Sequence, residues 1–411
     1  MSNPSKQLYE FPQRENNQSL RDRLTSKEWQ FYIERFPELA AGDTHVIKVN
    51  ADIVSAHTQE IFLSLPDRKV LTFGLDRFSQ KPGGRPYWHG SMRPDRTSGL
   101  TSPKELALAS LNNIFLSRYE NRLRGEIYVA GQLYRLEFLG NDTQVLFSVS
   151  NPAKIGCTPI EDPAPAEAEA VPKQYPSHAD SSKIGVLHLI APSIWQNYES
   201  DFVDELDEAF KDSLERSNGV LGVSKIDMTY EYAGVRKFTF TEDYKNTDLL
   251  KRLTDTTTAI GRQIDDARYD LSAHLVLVSR WQTPLEDPPH RPFQDARQST
   301  AFAVVGFSPD SITVNHQLGH LMGARHEWKP GPVLEPGYQF AYEFDFMGEN
   351  LITLMGKIVA DEDRPTYFVI YFSNPRLDIF GTPVGTVEHH DVARRFNERR
   401  FEVEAWYPRK K

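Results

Sequence analysis

Sulfur is scarce in this chain. Of its 411 residues a single one is cysteine, Cys157, so no intrachain disulfide can form and the fold must rest on packing and on any metal it binds. Long apolar runs are missing too, and nothing approaches the roughly 18 consecutive apolar residues that a membrane-spanning helix requires. The start, Met1-Ser2-Asn3-Pro4-Ser5-Lys6, is polar and leads into more polar sequence, with no apolar core of signal-peptide type. The expectation is a cytoplasmic precursor, or an effector exported by a specialised route. Positive charge is in deficit, with 47 Lys and Arg against 57 Asp and Glu and a net of −10. A phosphate-backbone partner needs a concentrated basic surface, so nucleic acid is excluded as the expected ligand. Apolar residues make up 39% and charged residues 25%, which leaves an ordinary globular protein long enough for two cores.

Composition divides the chain. From Glu161 to Ser182 the sequence reads EDPAPAEAEAVPKQYPSHADSS, with almost no large apolar side chain to add to a core. It is read as a linker between folded units at 1–160 and 183–411. Before it, residues 122–150 alternate apolar and polar, with turn signals at Gly131-Gln132 and Gly140-Asn141-Asp142, as in a β-meander. Leu106, Leu108, Leu111 and Phe115 recur with helical spacing, which predicts a helix over 103–118, and a short helix is expected near Ser26–Phe36. After the linker, strands and helices alternate. Ile184–Ile190 reads as a strand, Asp201–Ser217 as a helix ended by Asn218-Gly219, and Val220–Glu231 as a strand. Thr247–Arg268 is expected to be mostly helical, with strands at His274–Ser279 and Thr300–Phe307. The fold class expected is α+β, with a mixed, mostly parallel sheet backed by helices and preceded by a β-rich unit.

The stretch HQLGHLMGARH, from His316 to His326, carries the chemistry. His316 and His320 are four residues apart, so on a helix both imidazoles leave one face and can grip one ion. Gly323, three residues further, can adopt a left-handed backbone that ends the helix and turns the chain back, bringing His326 to a third position. Three neutral nitrogens on Zn2+ leave one tetrahedral corner for water or a carbonyl oxygen, as in a catalytic site. The plainer reading makes the three histidines helix-surface or capping residues.

In these residues the chain resembles the metzincin proteases, whose pattern is H-E-x-x-H-x-x-G-x-x-H followed by a Met-turn. It is closer still to the bacterial peptidyl-Asp metallopeptidases and their reprolysin-like relatives. The resemblance extends to Thr353-Leu354-Met355, which looks like the Met-turn, to Tyr371-Phe372-Ser373-Asn374-Pro375, and to Gly381-Thr382-Pro383-Val384-Gly385 before a helix at Asp391–Ala405. It implies an endopeptidase in which zinc-bound water attacks internal peptide bonds, with Met355 beneath the metal. On local reading Met355 serves equally as core. Residues 1–160 would be an inhibitory prodomain and 183–411 the catalytic domain. Gln317 stands where the family has the glutamate that takes a proton from the attacking water and returns it to the leaving amine. Such an amide is an engineered replacement that keeps a precursor uncut, or it marks a natural, catalytically dead zinc protein that binds peptides. Glu327 follows His326 where the relatives usually have aspartate, and Lys357 stands where some metzincins have a tyrosine.

Cys157, just before the linker, invites the inhibitory part seen in several metzincin zymogens, that of a fourth zinc ligand; the alternative is a structural cysteine. Ala303, Val304 and Val305 fall where the family presents an edge strand to substrate, or else form plain core strand. His389-His390 is read as capping the last helix rather than as further ligands. Lys357 and Arg364 are candidates for a pocket favouring acidic residues. The expected partners are a protein or peptide substrate and the chain's own N-terminal unit.

Overall fold

The computed structural model describes residues 6–12, 20–40, 44–67, 69–80, 84–93, 108, 111–129, 131–149, 157, 159–161, 181–242, 245–281, 290–307, 310–331, 336–357, 366–379 and 381–407. The chain divides into two units, Met1–Pro152 and Ala153–Lys411. Most of the linker and Arg364 lie outside the described residues.

The first unit is a nine-stranded antiparallel sheet ordered β1-β2-β9-β8-β7-β6-β5-β4-β3. Its strands are β1 (Tyr9–Glu10), β2 (Thr44–Val49), β3 (Glu60–Ser64), β4 (Val70–Gln80), β5 (Pro86–Met92), β6 (Asn113–Tyr119), β7 (Arg122–Val129), β8 (Gln132–Phe138) and β9 (Gln144–Val149). Alternate residues of these strands, among them Leu71, Phe73, Trp88, Leu123 and Ile127, fill one core. Helix α1 (Ser26–Arg35) starts with a capping box between Thr25 and Glu28 and buries Phe31 and Tyr32. The helix expected over 103–118 is not formed across its described end, because residues 113–119 are β6. Ile114 and Leu116 enter the core, while Phe115 faces the other way and stacks on His89 at 4.2 Å. Period two decides residues 113–119, while Leu108 is helical and Leu106 lies outside the described residues.

The second unit is mixed α+β. Its main sheet runs β10-β14-β15-β13-β11-β12, from β10 (Ile160–Glu161), β11 (Ser182–Ile190), β12 (Met228–Lys237), β13 (Leu275–Ser279), β14 (Arg291–Gln294) and β15 (Phe302–Val305). The pairs β11·β12, β11·β13, β13·β15 and β10·β14 are parallel, and only β14·β15 is antiparallel. Helices α2 (Ser200–Val223), α3 (Asn246–Thr254), α4 (Ala259–Leu271), α5 (Ser311–Leu321) and α6 (Val392–Ala405) accompany the sheet. Smaller pairings follow: β16 (Arg325–Glu327) with β17 (Phe340–Ala341), β18 (Glu343–Phe346) with β19 (Glu349–Ile352) and β20 (Thr366–Phe368), and β21 (Asn374–Ile379) with β22 (Thr382–Val384).

Two expectations are corrected here. Helix α2 does not stop at Asn218-Gly219 but runs to Val223, and the following strand starts only at Met228. Asn218 is no cap: its amide donates to Tyr230 O at 2.9 Å and accepts from Tyr230 N at 2.7 Å, clamping the buried helix to β12. Ala303, Val304 and Val305 are not at an edge, because β15 is hydrogen-bonded to β13 on one side and β14 on the other. Beyond β15 the sheet continues with β14 and ends on this side at β10.

Candidate metal centre

Helix α5 begins where the Asp310 side chain accepts from Thr313 N at 2.6 Å, and every one of its residues is buried. Its C-terminus is a Schellman turn: Ala324 N donates to Gly319 O at 2.8 Å and Gly323 N to His320 O at 2.9 Å. Gly323 has φ +94°, and a Cβ there would lie 2.6 Å from Arg395 Nε and 2.7 Å from Asp295 Oδ1. Both the backbone sign and the crowding demand glycine. Asp295 seals the turn, since its N–H donates to His320 O at 2.9 Å while its carboxylate accepts from Arg395 and Arg399 of α6.

The turn brings His326 back to the two helix histidines. His316 Nε2 lies 3.1 Å from His320 Nε2 and 3.1 Å from His326 Nε2, and the remaining side of the triangle measures 3.0 Å. His316 Nδ1 faces Leu354 O at 3.1 Å, and His320 Nδ1 faces Ala324 O at 3.0 Å and Gln294 Oε1 at 2.9 Å. Carbonyls only accept, so both Nδ1 atoms carry the proton and both Nε2 atoms are bare lone pairs. Lone pairs pointing into one small space repel unless a cation sits among them. Tetrahedral zinc, with N atoms about 2.0–2.1 Å away, would hold three nitrogens about 3.3 Å apart, close to the spacing found. The residues present therefore fit a metal ion.

Burial first keeps the rings neutral; after it His290 and Lys357 act on His316, and neighbouring imidazoles of the cluster act on His320 and His326. His316 is lowered to about 4, His326 to about 2, and His320 also falls well below its ordinary value. Neutral imidazole is the form that binds metals. Cys157 joins the group, and ligand atoms of Cys157, His316, His320 and His326 all lie within 4.8 Å of one another. Its thiol is pushed up to about 12 by burial, against the hydrogen bond to Gln317 and the charges of Lys357 and Arg291. Without a cation beside it, Cys157 is thus a thiol, and its Sγ points at Gln317 Oε1 3.7 Å away. Gln317 is fully buried, and its Nε2 has no hydrogen-bond partner among the described residues.

Met355 is buried in the turn that supplies the Leu354 carbonyl. A Cβ on Gly319 would run into Met355 Sδ, so glycine one residue before His320 lets this turn press against the helix. Thr353 N donates to Tyr342 O and Leu354 N to Tyr371 O, each at 2.9 Å, which aims the Leu354 carbonyl at His316. Lys357 donates its backbone N–H to Glu327. His389 and His390 stay out of the cluster: His389 stacks on Trp328 at 4.2 Å, and His390 Nδ1 bonds Thr386 Oγ1 at 2.8 Å. Asp391 itself caps α6, accepting from Arg394 N at 2.9 Å.

Several residues of the centre carried no signal in the sequence. Gln294 orients His320 and also donates to Ala324 O at 3.1 Å. His290 lies opposite Cys157 and accepts from Gly306 N at 3.2 Å through Nδ1. Arg325 binds Glu161 through both oxygens, at 2.7 and 2.9 Å. Gln294 and His290 lie outside the HQLGHLMGARH stretch, and Arg325, though inside it, takes its partner 164 residues away.

No protein-family model matches the chain. Over 367 residues it is 23% identical to the peptidyl-Asp metalloendopeptidase of Xanthomonas campestris pv. campestris, spanning 86% of this chain and 84% of that protein. It is 25% identical over 331 residues to the protein of the same name from Stenotrophomonas maltophilia strain R551-3, spanning 76% of this chain and 75% of the relative. Among solved structures, metalloproteinase-II from Bacteroides fragilis matches with a TM-score of 0.38 at 13% identity, covering 65% of this chain and 81% of that one. A chaperone–substrate complex matches with a TM-score of 0.44 at 11% identity, covering 69% and 40%. The names of the sequence relatives support a metalloendopeptidase, with the metal cofactor and peptide substrates that such a name implies.

Proposed function

We propose that this chain is the precursor of a zinc endopeptidase of metzincin type. His316, His320 and His326 hold the metal, Cys157 closes its fourth side, residues 1–160 inhibit, and 183–411 form the catalytic domain. Maturation cuts within 161–182. The observation that carries this reading is the triangle of imidazole nitrogens at 3.0–3.1 Å, at least two of them bare lone pairs, with a thiol alongside. When bound, zinc supplies a Lewis acid for a peptide carbonyl and lowers the pKa of water.

Everything else falls to side chains of the chain. The Leu354 and Ala324 carbonyls and Gln294 hold the two helix imidazoles in the tautomer that presents Nε2. Met355 is the apolar floor beneath the helix. Position 317 borders the same space, within reach of the Cys157 sulfur. A carboxylate there would accept a proton from the attacking water and pass it to the leaving nitrogen. Gln317 has the shape without the basicity, so the chain as written is slowed by about 10²–10⁴-fold. A substrate backbone adds alongside β14, where Cys157, Ile160 and Glu161 now lie.

Gln317 also favours a second reading, a zinc-bearing protein that binds peptides without cutting them. Changing Gln317 to glutamate separates the two. The protease reading expects one zinc per chain, self-cleavage within 161–182 and hydrolysis of casein. Absence of bound zinc sinks both readings. Zinc present, the N-terminal segment removed and still no cleavage by the Gln317→Glu chain leaves the binding protein.

A further inference from the structure

The wall beside the metal centre carries a feature that hydrolysis alone does not use. Cys157, Ile160 and Glu161 run parallel to β14, with Cys157 opposite His290, Ile160 opposite Phe293 and Glu161 opposite Gln294. At the end of this added strand, Arg325 Nη1 and Nη2 meet the two Glu161 oxygens at 2.7 and 2.9 Å, the fork geometry of a planar guanidinium on a carboxylate. The two partners are unequal. The Arg325 side chain keeps 18% of its exposure and Glu161 keeps 68%, so the arginine belongs to the wall and the glutamate is the visitor. Arg325 is fixed by its place in the chain: its N–H donates to Gln339 O at 2.8 Å, it pairs with Phe340 of β17, and the next residue is His326. Its guanidinium holds the Glu161 carboxyl below its ordinary range. Arg291 and Lys357 add positive charge that reaches Cys157. In a chain of net charge −10, this wall concentrates the opposite sign.

We propose that Arg325 is a specificity-determining residue, forming a carboxylate subsite that Glu161 fills in the precursor and that an aspartate or glutamate side chain of a substrate peptide fills once this segment has left. The proposal rests on the protease reading above and names a class of substrate for the same cleft. By the register, Glu161 stands four residues from Cys157, which faces the metal centre. The acidic side chain is therefore read at a distance from the bond being cut, by a site separate from any pocket beside that bond. Main-chain pairing along β14 supplies affinity without sequence preference, and Arg325 adds the preference.

The test uses the full chain nicked within residues 162–180 by an added protease and loaded with zinc. With Gln317→Glu, peptides sharing one cut site carry glutamate or glutamine at each of several positions on either side. Glutamate at one position three to five residues from the cut should raise kcat/KM about tenfold through KM, the size expected of a two-point ion pair at a partly exposed site. Arg325→Gln should erase that ratio, and Arg325→Glu should turn it towards lysine. An unchanged ratio in Arg325→Gln, or no position with a preference, overturns the proposal. If the Gln317→Glu chain cuts nothing, the protease reading fails, but the subsite can still be judged by binding. A labelled peptide copying residues 155–163 should then bind the nicked, zinc-loaded Gln317 chain about tenfold tighter than its Glu161→Gln counterpart. Equal affinities overturn the proposal without any variant of the protein that could misfold.

Discussion

Replacing Gly323 by alanine tests the geometric step on which the metal centre depends. At φ +94° an L-residue is held in left-handed backbone, at a cost of roughly 1–2 kcal/mol. The new Cβ also stands 2.6 Å from Arg395 Nε and 2.7 Å from Asp295 Oδ1, inside any normal contact, so the ion pair that seals the turn must shift. Together these effects reach about 2–3 kcal/mol, within the usual range for a strained backbone site. The strain is relieved if the turn opens and His326 swings away from His316 and His320. Metal binding must close it again, so zinc affinity should fall roughly 30- to 150-fold at about 1.4 kcal/mol per factor of ten. Competition against a chromophoric chelator measures this, with circular dichroism reporting that α5 and the sheet persist. Gly323→Asn should lose less, since asparagine tolerates left-handed backbone. A folded Gly323→Ala chain that binds zinc within threefold of the parent would refute the reasoning, because His326 would then reach the metal without the turn.

Acid should weaken the metal-free chain in a defined window. His316 is fully buried and His290 half-buried, and both are lowered to about 4, chiefly by desolvation, so their folded forms stay neutral where the unfolded chain takes up protons. Stability from each is complete above about 6.5 and drains away as pH falls towards 4, by roughly 2 kcal/mol apiece at pH 4.5. Urea unfolding in a chelator at pH 7 and 4.5 checks this, and a pH-independent midpoint contradicts it. Asn218→Ala should cost roughly 2–4 kcal/mol, because it strips the buried Tyr230 N–H and carbonyl of their partners. A fall in Tm of about 5–15 °C in calorimetry is the expected reading, and one under 1 °C speaks against the clamp.

What could be read in the sequence was local. His316, His320, Gly323 and His326 span eleven residues, and helix periodicity with one glycine turn dictates where their rings go whatever the rest of the chain does. The same holds for α1 with its capping box, for α6 with Asp391, and for the meander, where turn residues punctuate an alternating pattern. Where two local signals competed, the tertiary partner chose. Asn218 had the look of a helix stop until β12 offered it a backbone to bind, and Phe115 continued a helical spacing from Leu106, Leu108 and Leu111 until strands on both sides claimed the hydrogen bonds of residues 113–119.

The rest was decided by chain segments far apart in sequence. The place of Cys157 follows from its pairing opposite His290, 133 residues away, and that of Glu161 from Arg325, 164 residues away. Gln294 and Asp295 brace the end of α5 only because sheet order sets β14 beside it. Ala303–Val305 lost an edge for the same reason, since a strand's neighbours are not written in its own residues. Sequence alone determined that three imidazoles could meet. Only the packed sheet decided which thiol, which amide and which guanidinium stand around them, because hydrogen-bond partners across a sheet are chosen by topology and not by spacing along the chain.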